Sequence, residues 1–289
     1  MPLSTSTKKN FIRVGNVLSL LLLFVANAVS LNLHPSPIDI YYKHLTYLSP
    51  SLIFVGIFVI VLYVLLFGFV FYVQFSNAFI IQRVVTSTVG CLLIVSNLLM
   101  CGWLFSLTSE KFYLSEMFMF LALLVTLRFH HNIVVHFSPT SHPSTQVTKI
   151  IAFVNTPFSM YTAFTLVGFV YTGFLAFTND DELFAFVAVV CTWLLAIFGM
   201  AWTVTGIWSG GRRDGVMGAA IAWALLAIAV QQREVRHISI QCTVLSVTMS
   251  VILLVIWINY GGSLSQAARS QRNIVVEQYA PLLHSESDG

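Results

Sequence analysis

The sequence predicts an all-α protein, a polytopic membrane helical bundle of about eight transmembrane helices. Charged residues make up 9% of the chain and hydrophobic residues 57%. Soluble globular domains average about 25% charged residues, so most of this surface must face lipid. The apolar residues also form eight long runs rather than the alternating pattern of barrel strands. Finally, lysine and arginine are concentrated in alternate gaps between the runs.

Each run is long enough, or nearly long enough, to be one membrane span. A helix that crosses a hydrocarbon core of roughly 30 Å needs about 20 residues. The fourth run is short, but Arg128 at its end can extend into the headgroup region. The seventh run is the shortest, and a re-entrant segment is its alternative interpretation. In order, the runs cover residues 12–31, 52–73, 84–107, 112–127, 150–177, 183–208, 215–230 and 238–260.

The first run also fits a secretory signal peptide. Lys8, Lys9 and Arg13 precede an apolar stretch, and Ala26 and Ala28 flank Asn27 as in an A-x-A cleavage site. Cleavage there would leave seven spans and an external N-terminus, the arrangement of a seven-helix receptor. Both interpretations stay open at this stage.

Basic residues predict the orientation of the bundle. With a cytosolic N-terminus and eight crossings, ten of the fourteen lysine and arginine residues lie in the cytosol, as the positive-inside rule requires. The sequence therefore predicts cytosolic N- and C-termini, in the plasma membrane or an endomembrane. The cytosolic set is Lys8, Lys9, Arg13, Arg83, Arg128, Lys149, Arg212, Arg213, Arg269 and Arg272, and the opposite set is Lys43, Lys111, Arg233 and Arg236.

The gaps are too short to hold a soluble domain. Residues 1–260 are therefore predicted to form a single multi-pass membrane domain. Residues 261–289 are polar and are predicted to form a disordered cytosolic tail. In this tail, Tyr279 and Leu282 fit the Y-x-x-Φ pattern of a sorting signal, although four-residue patterns of this kind often arise by chance.

The residue types give little support for catalysis. Ionisable groups inside a bilayer usually mark function, but Glu116 and Arg128 lie near opposite ends of the fourth run, where each can reach an interface. His130, His131, His136 and His142 lack the i, i+4 spacing of a metal site, so they are interpreted as a polar cytosolic surface. The four cysteines fall within the runs and are interpreted as packing residues.

The sequence accordingly predicts no enzyme activity, no metal site and no cofactor. The expected partners are membrane lipids and a small apolar ligand rather than nucleic acid. Pairs of small residues at i, i+4, such as Gly168 with Thr172, allow close helix packing and are compatible with a homo-oligomer. A structural membrane protein without a ligand is the main alternative function.

Five short motifs support a family comparison. They are Ser49 with Pro50, GFVFY at 68–72, Ser96 and Asn97 followed by Trp103, PFSMY at 157–161, and WALLAIAVQQ at 223–232. Across residues 12–251 the chain resembles the longer members of the translocator protein family, the tryptophan-rich sensory proteins. This resemblance implies a five-helix core that binds tetrapyrroles, sterols and other flat apolar ligands, with additional helices around it.

The resemblance also implies a set of ligand-binding residues. Asn97 and Tyr161 would orient a ligand, and the other members would form its apolar walls, with Pro157 kinking its helix. Phe58 and Phe164 stand where the family has tryptophan, and Met100 and Thr172 where it has asparagine. These departures keep an aromatic wall but remove polar groups, which disfavours porphyrin. The predicted site is Tyr63, Asn97, Trp103, Pro157, Tyr161, Phe164 and Trp223.

Overall fold

The computed structural model describes residues 5–75, 89–136, 151–177, 182–205 and 214–259. Every regular element in these ranges is helical. The helices are α1 (Thr5–Ser30), α2 (Pro37–Lys43), α3 (Leu52–Phe75), α4 (Leu92–Thr108), α5 (Phe112–His136), α6 (Thr156–Phe177), α7 (Glu182–Met200), α8 (Gly215–Gln231) and α9 (Arg236–Asn259). π-helical turns at Ile151–Asn155 and Ala201–Thr205 precede α6 and follow α7.

Six of the described helices are long and apolar enough to cross a membrane, namely α1, α3, α5, α6, α7 and α9. Helices α4 and α8 are apolar but shorter, with 17 residues each. Large apolar side chains such as Ile53 and Val64 are 73% and 65% exposed. Such side chains are stable facing hydrocarbon but not facing water. The prediction of an all-helical, multi-pass membrane protein is therefore confirmed.

The chain divides into two compact units, Met1–Met249 and Ser250–Gly289. The second unit is described only as far as residue 259, where it forms the end of α9 with exposed side chains such as Val251 and Trp257. The sorting pattern at Tyr279 and Leu282 lies outside the described residues, as does the remainder of the tail.

The first polar gap contains a helix that its polarity did not predict. Helix α2 begins with a capping box, in which the Ser36 hydroxyl accepts from the Asp39 backbone N–H at 3.2 Å. In return, Asp39 Oδ2 accepts from the Ser36 backbone N–H at 2.8 Å. Pro37 occupies the first helical position, where its fixed φ suits a helix start. Seven residues are too few for a periodicity argument, so only the caps could have indicated this helix.

Two of the predicted runs contain local departures from regular α-helix in the described residues. Within the third run, helix α4 starts at Leu92, after Gly90 in a left-handed conformation with φ 49°, while the predicted start at residue 84 lies outside the described residues. Pro157 lies in the first turn of α6, directly after the π-helical turn Ile151–Asn155. Proline removes a donor and crowds the carbonyl four residues earlier, which accounts for the π-helical turn immediately before it.

Helix α6 lies at the centre of the larger unit and contributes to two apolar cores. One core packs α1, α3, α4 and α5 around Phe158 and Tyr161 of α6. The other core packs α6 against α7, α8 and the first half of α9, around Leu225 and Ile228. Contacts between helices have to come from close packing, since lipid supplies no hydrophobic driving force within the membrane.

Polar contacts identify the two ends of this unit. At what we call the α2 end, Lys43 Nζ lies 2.7 Å from Glu110 Oε1, and Gln232 Nε2 donates to the Thr46 carbonyl at 2.7 Å. At what we call the opposite end, His130 of α5 lies beside Asp214, the residue that precedes α8. With the shorter helices α4 and α8 included, successive helices from α3 to α8 run between these ends in alternating directions.

Candidate functional site

Five of the seven predicted site residues come together between α3, α4 and α6. We call this set the interior cluster. Four members contribute to the first apolar core, and the fifth is joined to them by a hydrogen bond. Tyr161 and Asn97 are almost fully buried, at 1% and 0% exposure. The interior cluster consists of Tyr63, Asn97, Trp103, Tyr161 and Phe164.

Aromatic rings form one side of the interior cluster. The ring of Phe164 is nearly parallel to that of Phe58, with centroids 6.2 Å apart and an interplanar angle of 15°. Trp103 meets Phe164 edge-on at 6.5 Å. The Trp103 indole N–H donates to the Thr172 hydroxyl at 3.2 Å. Trp103 therefore presents an apolar surface, because a neighbouring helix already accepts from its only donor.

A chain of hydrogen bonds forms the other side and extends into α1. The Tyr161 hydroxyl donates to Asn97 Oδ1 at 3.1 Å, and Asn97 Nδ2 donates to the Ser19 hydroxyl at 3.1 Å. Ser19 then donates to the Asn16 carbonyl at 3.2 Å. A hydrogen-bonded chain of this kind fixes side-chain orientation in a low-dielectric interior.

Helix α1 contributes more to this region than the sequence analysis anticipated. Asn27 Nδ2 donates to the Tyr63 hydroxyl at 2.7 Å, while the Phe24 ring packs edge-on against Tyr63 at 5.6 Å. A signal was present in the sequence, because Asn16, Ser19 and Asn27 interrupt an otherwise leucine-rich helix.

Trp223 and Pro157 lie apart from the interior cluster. The Trp223 indole N–H donates to the Phe54 carbonyl at 3.1 Å, and its ring contacts Phe54 at 5.0 Å, at the interface of α3 and α8. Pro157 is buried in the first turn of α6, near the opposite end. Trp223 therefore joins α8 to α3, whereas Pro157 shapes the start of α6.

The opposite end contains a buried polar cluster that sequence reasoning missed. His130 Nε2 lies 2.7 Å from Asp214 Oδ2, with the two side chains 0% and 4% exposed. The Ser159 hydroxyl donates to the same carboxylate oxygen at 2.5 Å and lies 3.2 Å from His130 Nε2. His130 is therefore not part of a solvated surface. Its partner is 84 positions away in the sequence, a separation that local pattern analysis does not detect.

Asp214 also caps α8. Its Oδ1 accepts from the backbone N–H groups of Val216 and Met217 at 3.0 and 3.3 Å. Burial alone would raise the pKa of Asp214, but the bonds from His130, Ser159 and Met217 outweigh it and lower the pKa below its usual 3.8. The carboxylate thus stays ionised and joins α5, α6 and α8.

The geometry of this cluster differs from that of a Ser-His-Asp catalytic triad. In a triad the serine and the aspartate bind different ring nitrogens of the histidine. Here Ser159 and Asp214 both lie against Nε2 of His130. Ser159 is also 0% exposed, so a substrate has no access to it. Among the described residues, no three His, Cys, Asp or Glu side chains are grouped so that they could hold a metal ion.

An open cleft of about 920 Å³ lies at the α2 end. None of the seven predicted site residues lines it. Its walls come from the segment after α2, the end of α6, and the connection between α8 and α9. The lining includes Lys43, His44, Tyr47, Leu175, Gln232 and Arg233.

The chain was compared with protein families, curated proteins and solved structures. The family model for TSPO-like proteins matches residues 13–258, most of the chain and nearly all of its apolar part. No curated protein and no solved structure matches the chain. The matched range includes every residue of the interior cluster and of the buried cluster at the opposite end. It also covers nearly all residues of the six long apolar helices. The chain therefore belongs to the TSPO-like protein family.

Proposed function

We propose that this protein binds a small, flat, largely apolar ligand at the interior cluster. The observation that carries the proposal is the joining of an aromatic wall to a hydrogen-bonded polar chain inside a lipid-embedded bundle. Phe58, Phe164 and Trp103 supply flat apolar surface, while Asn97 and Tyr161 supply fixed polar atoms. Small-molecule sites typically combine apolar walls with a few positioned polar groups.

Family membership and the departures from the family pattern both support a sterol-like or lipid-like ligand. The aromatic positions at Phe58 and Phe164 keep the ring surface but have no N–H donor. The indole N–H of Trp103 is also engaged by Thr172. A ligand with several polar substituents would therefore find few partners here, which favours sterols over tetrapyrroles.

Ligand binding should raise the thermal stability of the purified protein. A ligand present at 100 times its dissociation constant stabilises the folded state by about 2.7 kcal/mol. We expect cholesterol or a related sterol to raise the melting temperature in detergent micelles, and protoporphyrin IX to have a smaller effect. If no member of a sterol and tetrapyrrole panel shifts the transition, the structural alternative without a ligand is favoured.

A pair of variants tests whether the interior cluster is responsible. Phe164→Leu removes the ring that stacks on Phe58 and should reduce the ligand-induced shift. Trp193→Phe is the matched control, because Trp193 is 49% exposed on α7, away from the interior cluster. An equal loss of the shift in both variants would indicate a binding site elsewhere.

We further propose that the chain crosses the membrane eight times, with both termini in the cytosol. Six long helices and the two shorter ones, α4 and α8, run in alternating directions between the two ends. The 17 residues of α4 or α8 extend about 25 Å. A bilayer can thin locally to match a span of this length. The positive-inside rule supports this orientation, because eight crossings from a cytosolic N-terminus assign ten of the fourteen lysine and arginine residues to the cytosol.

Cysteine accessibility tests this topology. In a background without native cysteines, Lys43→Cys at the α2 end should react with a membrane-impermeant maleimide added to intact cells. Arg128→Cys, near the opposite end, should react only after permeabilisation. If both positions are labelled before permeabilisation, or only Arg128→Cys is, the proposed orientation is wrong.

A further inference from the structure

One asparagine of α1, Asn16, is buried on a side of the helix that is mostly apolar. Asn16 is 2% exposed and lies on the buried side of α1, together with Ile12, Leu20 and Leu23. This side packs against α4 and α3. A leucine would have nearly the same shape and would suit the apolar surroundings. An asparagine at this position therefore indicates a use for its amide.

Within the part of the chain that the structure describes, the side-chain amide of Asn16 has no hydrogen-bond partner. Both Nδ2 and Oδ1 are buried, and neither makes a hydrogen bond. A carboxamide offers two donors and one acceptor, and buried polar groups in native proteins are almost always paired. Inside a bilayer no bulk water is available to replace a missing partner. The site is thus suited to a guest that brings both a donor and an acceptor.

The nearby polar groups are already engaged with one another. Ser19 donates to the Asn16 backbone carbonyl and accepts from Asn97, which in turn accepts from Tyr161. This chain begins in the interior cluster and ends at the backbone of Asn16. The Asn16 side chain lies about one helical turn, roughly 5 Å, beyond Ser19 along α1. One end of a molecule held in the interior cluster could therefore extend to Asn16.

Close packing at this level limits the size of the guest. A Cβ atom added at Gly15 would lie 2.6 Å from Ile94 Cδ1, so α1 and α4 approach each other closely beside Asn16. This contact leaves little room for a ring beside Asn16. The nearest atom is the flexible end of the Ile94 side chain, which can move to admit a group the size of a hydroxyl.

We propose that Asn16 binds a hydroxyl-sized, uncharged polar substituent at one end of the ligand. This inference rests on the proposed function. A hydroxyl both donates and accepts, so it satisfies Oδ1 and Nδ2 together, whereas a ketone accepts only and leaves Oδ1 unpaired. The ligand class is therefore a flat apolar alcohol, rather than the corresponding ketone or hydrocarbon.

Three sterol probes test this proposal on the purified full chain in detergent. Dissociation constants would be measured for cholestanol, cholestan-3-one and cholestane, with wild type and with Asn16→Leu. The wild type should bind the alcohol at least about tenfold more tightly than the hydrocarbon, because sites built around a hydroxyl reject analogues that lack it. The ketone should fall between them. In Asn16→Leu the three constants should become nearly equal.

Asn32→Leu is the matched control. Asn32 follows the end of α1 and is exposed, with its amide donating to the Ala28 carbonyl, so this variant should keep the wild-type preference. Asn16→Ala serves if the leucine variant does not fold. An unchanged alcohol preference in a folded Asn16 variant would overturn the inference, because groups other than Asn16 would then bind the hydroxyl. If wild type binds no probe, the proposed function fails as well.

Discussion

Asp214→Ala should lower the free energy of unfolding by about 3 kcal/mol, because it removes a buried carboxylate and leaves its hydrogen-bond partners unsatisfied. The substitution leaves His130, which is 0% exposed, without the carboxylate that lies 2.7 Å from its Nε2. Ser159 loses its acceptor at the same time. Reversible unfolding in mixed micelles, followed by circular dichroism, would measure the change.

The loss of the cap at α8 adds to this effect. Asp214 Oδ1 accepts from two backbone N–H groups at the start of α8. Replacing a capping aspartate by alanine typically costs about 1 kcal/mol. Asp214→Asn keeps a capping oxygen but removes the charge, so its loss of stability should be smaller than that of Asp214→Ala.

An exposed ion pair provides the control for Asp214→Ala. The Lys43 and Glu110 side chains are 58% and 35% exposed, at the α2 end. Removing such a pair through Lys43→Gln should change the free energy of unfolding very little, because solvent screens exposed charges. If Asp214→Ala costs no more than Lys43→Gln, the buried cluster at the opposite end does not stabilise the fold as described.

The dependence of stability on pH follows from the lowered pKa of Asp214. A carboxyl group with a lower pKa in the folded state contributes stability above its unfolded pKa and loses it as pH falls through the folded value. The contribution of Asp214 should therefore be complete at neutral pH. Wild type and Asp214→Asn should converge in stability only below about pH 4.

The sequence predicted the long helices well because few backbone conformations are stable in lipid. A chain inside hydrocarbon must satisfy its backbone hydrogen bonds internally, so a long apolar run becomes a helix. The predicted 52–73 and 238–260 runs accordingly lie close to α3 and α9. Helix ends were less predictable, because local features such as Gly90 before α4 and the π-helical turn before Pro157 determine them.

The candidate site was predictable only in part, for a different physical reason. Tyr63, Trp103 and Phe164 were identified because the family pattern marks positions that face the interior. The pairing of His130 with Asp214, and of Asn97 with Ser19, joins residues 84 and 78 positions apart. Such contacts depend on how helices pack, and helical periodicity carries no information about which neighbour a buried side chain meets.

A second large effect is expected for Phe158→Ala at the centre of the first apolar core. Phe158 is 0% exposed, and its ring meets Phe69 and Phe129 edge-on at 4.7 and 4.8 Å. In water-soluble proteins a buried Phe→Ala change costs about 3–5 kcal/mol. Part of that cost is transfer from water, which does not apply where the alternative surroundings are lipid.

The cost that remains for Phe158→Ala comes from the cavity and from two lost aromatic contacts, so we expect about 3 kcal/mol, the lower end of the range. Phe71→Ala is the matched control, because Phe71 is 60% exposed on α3 and lipid tails can fill the space that it leaves. Unfolding of both variants in the same micelles would measure the difference. Equal losses of stability would mean that packing around α6 does not determine the stability of the bundle.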